Sequence, residues 1–125
     1  MDYRWDNKER RRYIRIEKHF IISYYDKGDP HTKYNVSQLK NISMGGMCFV
    51  TSQRYTSSTK MGVELKTPYL ADAVHIEGTI LESHEKVPKI LYETRLAFDK
   101  LNTEAELVLE KIVETFAKIA EEKKS

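Results

Sequence analysis

Apolar and polar residues alternate through much of the middle of this chain. Val74, Ile76, Gly78 and Ile80 are separated by His75, Glu77 and Thr79. Ile90, Tyr92, Thr94, Leu96 and Phe98 alternate with Leu91, Glu93, Arg95 and Ala97, and Val63 and Leu65 flank Glu64. A period of two marks antiparallel strands with one face buried. Upstream, residues 19–25 (His-Phe-Ile-Ile-Ser-Tyr-Tyr) are aromatic and β-branched, as strands prefer. Asp26-Lys27-Gly28-Asp29-Pro30 is turn chemistry. Residues 33–42 predict a second strand with a defect: Val36 and Leu39 fall on opposite faces, so a bulge is expected. Gly45-Gly46 reads as a tight turn, residues 47–50 as a short buried strand, and the Ser/Thr-rich residues 51–61 as a loop. Six short strands divided by turn signals predict a small antiparallel barrel or a sandwich.

The period changes near the end. Thr103-Glu104-Ala105-Glu106 fits the Ser/Thr-x-x-Glu box that opens a helix. Apolar residues then recur at Val108, Leu109, Ile112, Val113, Phe116, Ile119 and Ala120, one stripe of a helix about 28 Å long. Such a stripe needs a partner, either the open end of the barrel or a second copy of the chain, and packing within the chain is the expectation. The organisation read from the pattern is an arm over 1–18, a barrel over 19–100 and a helix over 103–123.

Length and charge narrow the function. The 125 residues make one domain, large enough for a core without disulfides. Lys and Arg number 21 against 19 Asp and Glu, so the net charge is only +2. That argues against a general DNA or RNA binder. The charge is nonetheless uneven, because five of the seven arginines fall in the first fifteen residues. Arginine is favoured over lysine where a planar fork must grip a phosphate or a guanine edge. One cysteine, Cys48, excludes an internal disulfide framework. No apolar run approaches the roughly 18 residues of a membrane span, and the first residues carry no secretory h-region. A cytoplasmic protein without membrane attachment is expected.

No catalytic constellation emerges. His19, His31, His75 and His84 form no ligand pair with metal-site spacing. His75 falls on the polar side of its strand and is expected to face solvent. Ser52, Ser57 and Ser58 lack a Gly-x-Ser-x-Gly setting. Cys48, between Met47 and Phe49, reads as a buried, inert thiol. Gly45-Gly46 is followed by no Gly-Lys-Ser/Thr, so it is no Walker loop. The expectation is a protein that is not an enzyme and carries no metal or cofactor.

Two motifs remain. In Arg11-x-x-x-Arg15 two guanidiniums share one face, whether the chain is helical or extended. In Asn41-x-Ser43-x-x-Gly46 an amide and a hydroxyl point the same way from a strand end, suited to a purine edge or a phosphate. The glycines that follow allow close backbone approach. Each motif alone is common, as a solvated arginine pair or an Asx-type turn. Together, in this order and about 30 residues apart, they resemble the signature of the PilZ domain, Arg-x-x-x-Arg followed by Asp/Asn-x-Ser-x-x-Gly. The resemblance covers nearly the whole chain.

The resemblance implies a mainly β fold, a six-stranded antiparallel PilZ-type barrel with a C-terminal helix. It also implies a receptor for the bacterial second messenger cyclic di-GMP, held by Arg11, Arg15, Asn41, Ser43 and Gly46 and relaying its signal to an unidentified protein partner. In that family an arginine just before the signature goes with a stacked pair of nucleotides. Arg10 occupies the position, so two cyclic di-GMP molecules per chain are expected. Their four charges also call for more than two arginines. The alternative is a protein–protein adaptor on the same scaffold without nucleotide. A monomer or weak dimer is expected. One departure stands out: Arg95 replaces the glycine that many members carry in the last strand. Its place in the alternation predicts an outward side chain, either solvated, which is the expectation, or adding a contact to the ligand.

Overall fold

The computed structural model describes residues 20–68 and 70–124. The arm 1–18, with Arg10, Arg11 and Arg15, lies outside the described residues. Among the described residues there are seven strands and one helix: β1 (Ile21–Asp26), β2 (Tyr34–Asn35), β3 (Leu39–Ile42), β4 (Gly46–Thr51), β5 (Lys60–Lys66), β6 (Val74–Val87), β7 (Leu91–Phe98) and α1 (Thr103–Lys124). The strands form one antiparallel sheet in the order β2-β1-β5-β6-β7-β4-β3.

Seven strands appear where six were expected because residues 33–42 divide. Tyr34 and Asn35 pair with β1, opposite Tyr24 and Ser23. Leu39 to Ile42 pair instead with β4. Between them, the Val36 amide donates to the Ile22 carbonyl at 2.7 Å, and the Val50 amide donates to the Gln38 carbonyl at 3.1 Å. The segment thus passes from one edge of the sheet to the other, and Val36 and Leu39 both reach the core. Their opposed phases in the sequence record a change of partner, beside a register shift between Leu39 and Asn41. With both edges supplied by one short segment, the sheet curls into an incomplete barrel.

β6 is longer than the alternation over 74–80 suggested. Its register against β7 shifts between Ile80 and Glu82 and again between Glu85 and Val87. Leu81 and Glu82 consequently both face outward, and the period of two fails there although the strand continues.

Inside the sheet, Ile22, Leu39, Phe49, Met61, Leu65, Ile80 and Leu96 are fully buried. Tyr24 stacks on Tyr34 at 5.5 Å and meets Phe49 and Tyr55 edge-on at 5.1 and 6.1 Å. Burial, then the neighbouring Tyr55, pushes the Tyr24 hydroxyl far above the usual phenol range. A short polar relay crosses the interior. Thr51 Oγ1 donates to the Gln53 carbonyl at 2.8 Å and stands 2.8 Å from Thr94 Oγ1, which is 2.8 Å from Ser83 Oγ. With the Thr51 proton committed to Gln53, Thr94 must donate to Thr51 and Ser83 to Thr94, so all three buried hydroxyls are satisfied.

α1 lies on this sheet. Asn102 Oδ1 accepts from the Ala105 amide at 2.8 Å, which makes Asn102 the N-cap in place of Thr103. Ala105, Val108, Leu109 and Ile112 are buried, while Val113, Phe116 and Ile119 are half-buried at the margin of the core. The stripe therefore packs within the chain, most tightly in its first turns. Leu109→Ala should destabilise the fold by about 2–5 kcal/mol, and Phe116→Ala, at a half-buried position, by less than Leu109→Ala. Urea denaturation of the two variants checks the order, and an equal or larger loss at Phe116 would contradict this packing.

Candidate nucleotide site

The hairpin between β3 and β4 is held by its own backbone and by one hydroxyl. The Ser43 amide donates to the Gly46 carbonyl at 2.8 Å, and the Gly45 amide donates to Ser43 Oγ at 3.1 Å. No glycine among the described residues has a positive φ, so left-handed backbone does not explain the Gly45-Gly46 pair. Space explains Gly46. A Cβ there would run into the Leu96 carbonyl oxygen and lie 3.2 Å from Ala97 Cα. At Gly45 a Cβ would meet only Ser43 Oγ, at 3.8 Å. Gly46 is thus the residue that lets β4 close against β7, and the Phe98 amide extends the pairing by donating to the Gly45 carbonyl at 2.8 Å.

This pairing assembles one row of residues across four strands. Asn41 lies opposite Cys48, Cys48 opposite Arg95, and Arg95 opposite Glu82. The row borders an open pocket of about 210 Å³ on the outer face of the sheet, lined by Asn41, Ser43, Gly46, Cys48, Leu81 and Arg95 among others. Asn41, Ser43 and Gly46, the three expected site residues within the described part, therefore meet at one place. Arg10, Arg11 and Arg15 lie outside the described residues.

Around the pocket the charges are paired. Arg95 Nη1 donates to Glu82 Oε2 at 3.0 Å, with both side chains about half exposed. Arg95 does face outward as its phase predicts, but in an ion pair at the pocket wall. Glu93, one outward position away, is buried between Lys40 Nζ and His84 Nε2, each 3.2 Å from a carboxylate oxygen. Burial, followed by the Glu93 charge, pushes the Cys48 thiol up, against the smaller opposing pull of Lys40 and Arg95. It stays protonated at neutral pH and is a poor nucleophile. His75 is exposed and 3.0 Å from Glu64, away from this pocket.

Arg95, Leu81 and Glu82 were not among the expected site residues. Alternation alone could place Arg95 on the outer face. It could not reveal that the register puts Arg95 beside Asn41's row, or that a bulge brings Leu81 to the same pocket. A second concavity of about 330 Å³, lined by Asp26, Tyr34, Gln53, Arg54 and Tyr55 among others, holds none of the motif residues. Among the described residues no cluster of three or more His, Cys, Asp or Glu side chains is placed to hold a metal ion, and no helix is long and apolar enough to cross a membrane.

The room for a Cβ differs between the two glycines. Gly46→Ala should cost about 1–3 kcal/mol, because the β7 backbone cannot give way. Gly45→Ala should leave stability unchanged or raise it slightly, since its φ suits alanine and the space is open. Melting curves of both variants test this, and an innocuous Gly46→Ala would contradict the close approach.

Comparison with known proteins agrees with the resemblance seen in the motifs. The family profile of the PilZ domain matches residues 9–115, a span that includes both motifs. The structure of the Bacillus subtilis inhibitor of motility (MotI/DgrA) is similar, with a TM-score of 0.56 and 13% identity over 85% of this chain and 51% of that one. K. pneumonia MrkH in its apo state is also similar, with a TM-score of 0.61 and 16% identity over 89% of this chain and 50% of that one. At such identities the likeness shows the fold, and this chain spans about half the length of those two proteins. No individual curated protein matches the sequence significantly.

Proposed function

The chain belongs to the PilZ domain family, and from that premise we propose that it is a non-catalytic receptor for cyclic di-GMP that relays the nucleotide signal to a protein partner. The observation that carries this reading is the convergence of Asn41, Ser43 and Gly46 on one outer-face pocket, in a chain whose family match also spans Arg10, Arg11 and Arg15.

Each residue has a chemical task in this reading. Arg11 and Arg15 supply planar forks of donors, suited to the O6/N7 edge of guanine and to phosphate oxygens. Asn41 offers an amide that both donates and accepts, and Ser43 a hydroxyl already oriented by the Gly45 amide. Gly46 lets the hairpin lie close to β7, at the pocket that Asn41 and Ser43 line. Arg10 adds a further cation, so that the basic segment holds a stacked pair of nucleotides carrying four negative charges. Binding gathers the arginines and the hairpin about one ligand, and the partner reads the altered charge and shape of that surface.

Calorimetric titration with cyclic di-GMP, beside GTP and a short oligonucleotide, tests the assignment. Saturable binding of cyclic di-GMP alone is expected. No binding would leave the adaptor reading, and preferred binding of the oligonucleotide would replace both. Arg11→Ala and Arg15→Ala should each weaken binding about ten- to 150-fold, the worth of roughly 1.5–3 kcal/mol per charged hydrogen bond, with unchanged melting temperature. Parent-like affinity in both variants would overturn the assignment of these arginines.

Stoichiometry tests Arg10 separately. The parent should take two nucleotides per chain, with affinity falling as salt rises because several charged contacts are made. Arg10→Leu should move the stoichiometry toward one while retaining binding. A parent that saturates at one nucleotide would refute the stacked pair and leave the receptor reading in place.

A further inference from the structure

Arg95 lines the same pocket as Asn41, Ser43 and Gly46, yet it belongs to neither motif. Its position is built rather than incidental. Register places it in one row with Asn41, Cys48 and Glu82. The register shift between Ile80 and Glu82 turns Glu82 toward it, and Glu82 Oε2 accepts from Arg95 Nη1 at 3.0 Å. That ion pair fixes the direction of the guanidinium at the pocket wall. A guanidinium carries five N–H donors, so one ion pair leaves donors for a ligand.

The pocket also limits what it can take. Its roughly 210 Å³ falls below the 300 Å³ or more of sites that enclose a whole drug-sized ligand. It suits one ring system of a larger molecule that continues across the open face. Leu81 is nearly half exposed on the pocket lining and offers an apolar surface to the flat face of such a ring. A purine resting there presents its edge to the fork of Arg95. Guanine answers that fork with two acceptors, O6 and N7, whereas adenine puts an amino donor in place of O6.

We propose that Arg95 is a specificity-determining residue of the nucleotide site, reading the O6/N7 edge of one guanine, with Glu82 as the residue that positions it. This rests on the receptor reading above. It replaces the solvated role that the sequence pattern gave Arg95.

The test is calorimetric titration of cyclic di-GMP into the full chain and its Arg95→Ala and Arg95→Lys variants, with melting temperatures measured alongside. Lysine keeps the charge and loses the fork. Expected is a loss of about ten-fold or more in affinity for Arg95→Ala, no recovery in Arg95→Lys, and melting temperatures close to the parent's because the ion pair is exposed. Parent-like affinity in Arg95→Ala would overturn the proposal and leave the receptor reading standing. Full recovery in Arg95→Lys would also overturn it, by showing that charge suffices. A parent that does not bind cyclic di-GMP would overturn the receptor reading, and this proposal with it.

Discussion

The backbone of Gly46 lies against the Leu96–Ala97 segment of β7 more closely than any side chain at that position would allow. The β4–β7 register follows from that contact, with Gly46 opposite Ala97 and Cys48 opposite Arg95. From the register follows the row that brings Asn41, at the free edge of the sheet, within one pocket of Arg95. The hairpin that carries Ser43 projects from the same point. The site is therefore a consequence of how closely two strand backbones approach. The glycine of the motif serves this packing, and its neighbour Gly45 has no comparable steric demand.

Much of the fold was legible because most strands have one wet and one dry face. Val74 to Ile80 and Tyr92 to Phe98 show the alternation plainly, and the helical stripe from Val108 onward is unmistakable against it. Legibility failed where a strand changes partner or register. Val36 and Leu39 lie in different phases because the chain crosses between sheet edges there. Leu81 and Glu82 break the period because of a bulge. The helix cap moved by one residue, since Asn102 competes for the N-cap at least as well as Thr103.

The candidate site divides along the same line. Asn41, Ser43 and Gly46 could be read as a group because they are close in sequence. Arg95 and Leu81 belong to the pocket only through pairing between distant strands, which no local pattern encodes. Glu93 shows the reverse case. Its phase marks it as outward and polar, yet it is buried between Lys40 and His84, which arrive from β3 and β6. Outward on a curled sheet does not mean wet when side chains from strands on either side lean over the position.

The proposed nucleotide site lies on the outer face of β4 and β7 at the β3–β4 hairpin. Amide chemical-shift mapping of the full chain during titration with cyclic di-GMP tests it most directly. The largest shifts should fall on Asn41, Ser43, Gly45, Gly46, Cys48 and Arg95, with Leu109 and Ile112 on the far helix unmoved. Shifts concentrated instead around Asp26, Tyr34 and Tyr55, at the second concavity, would contradict it.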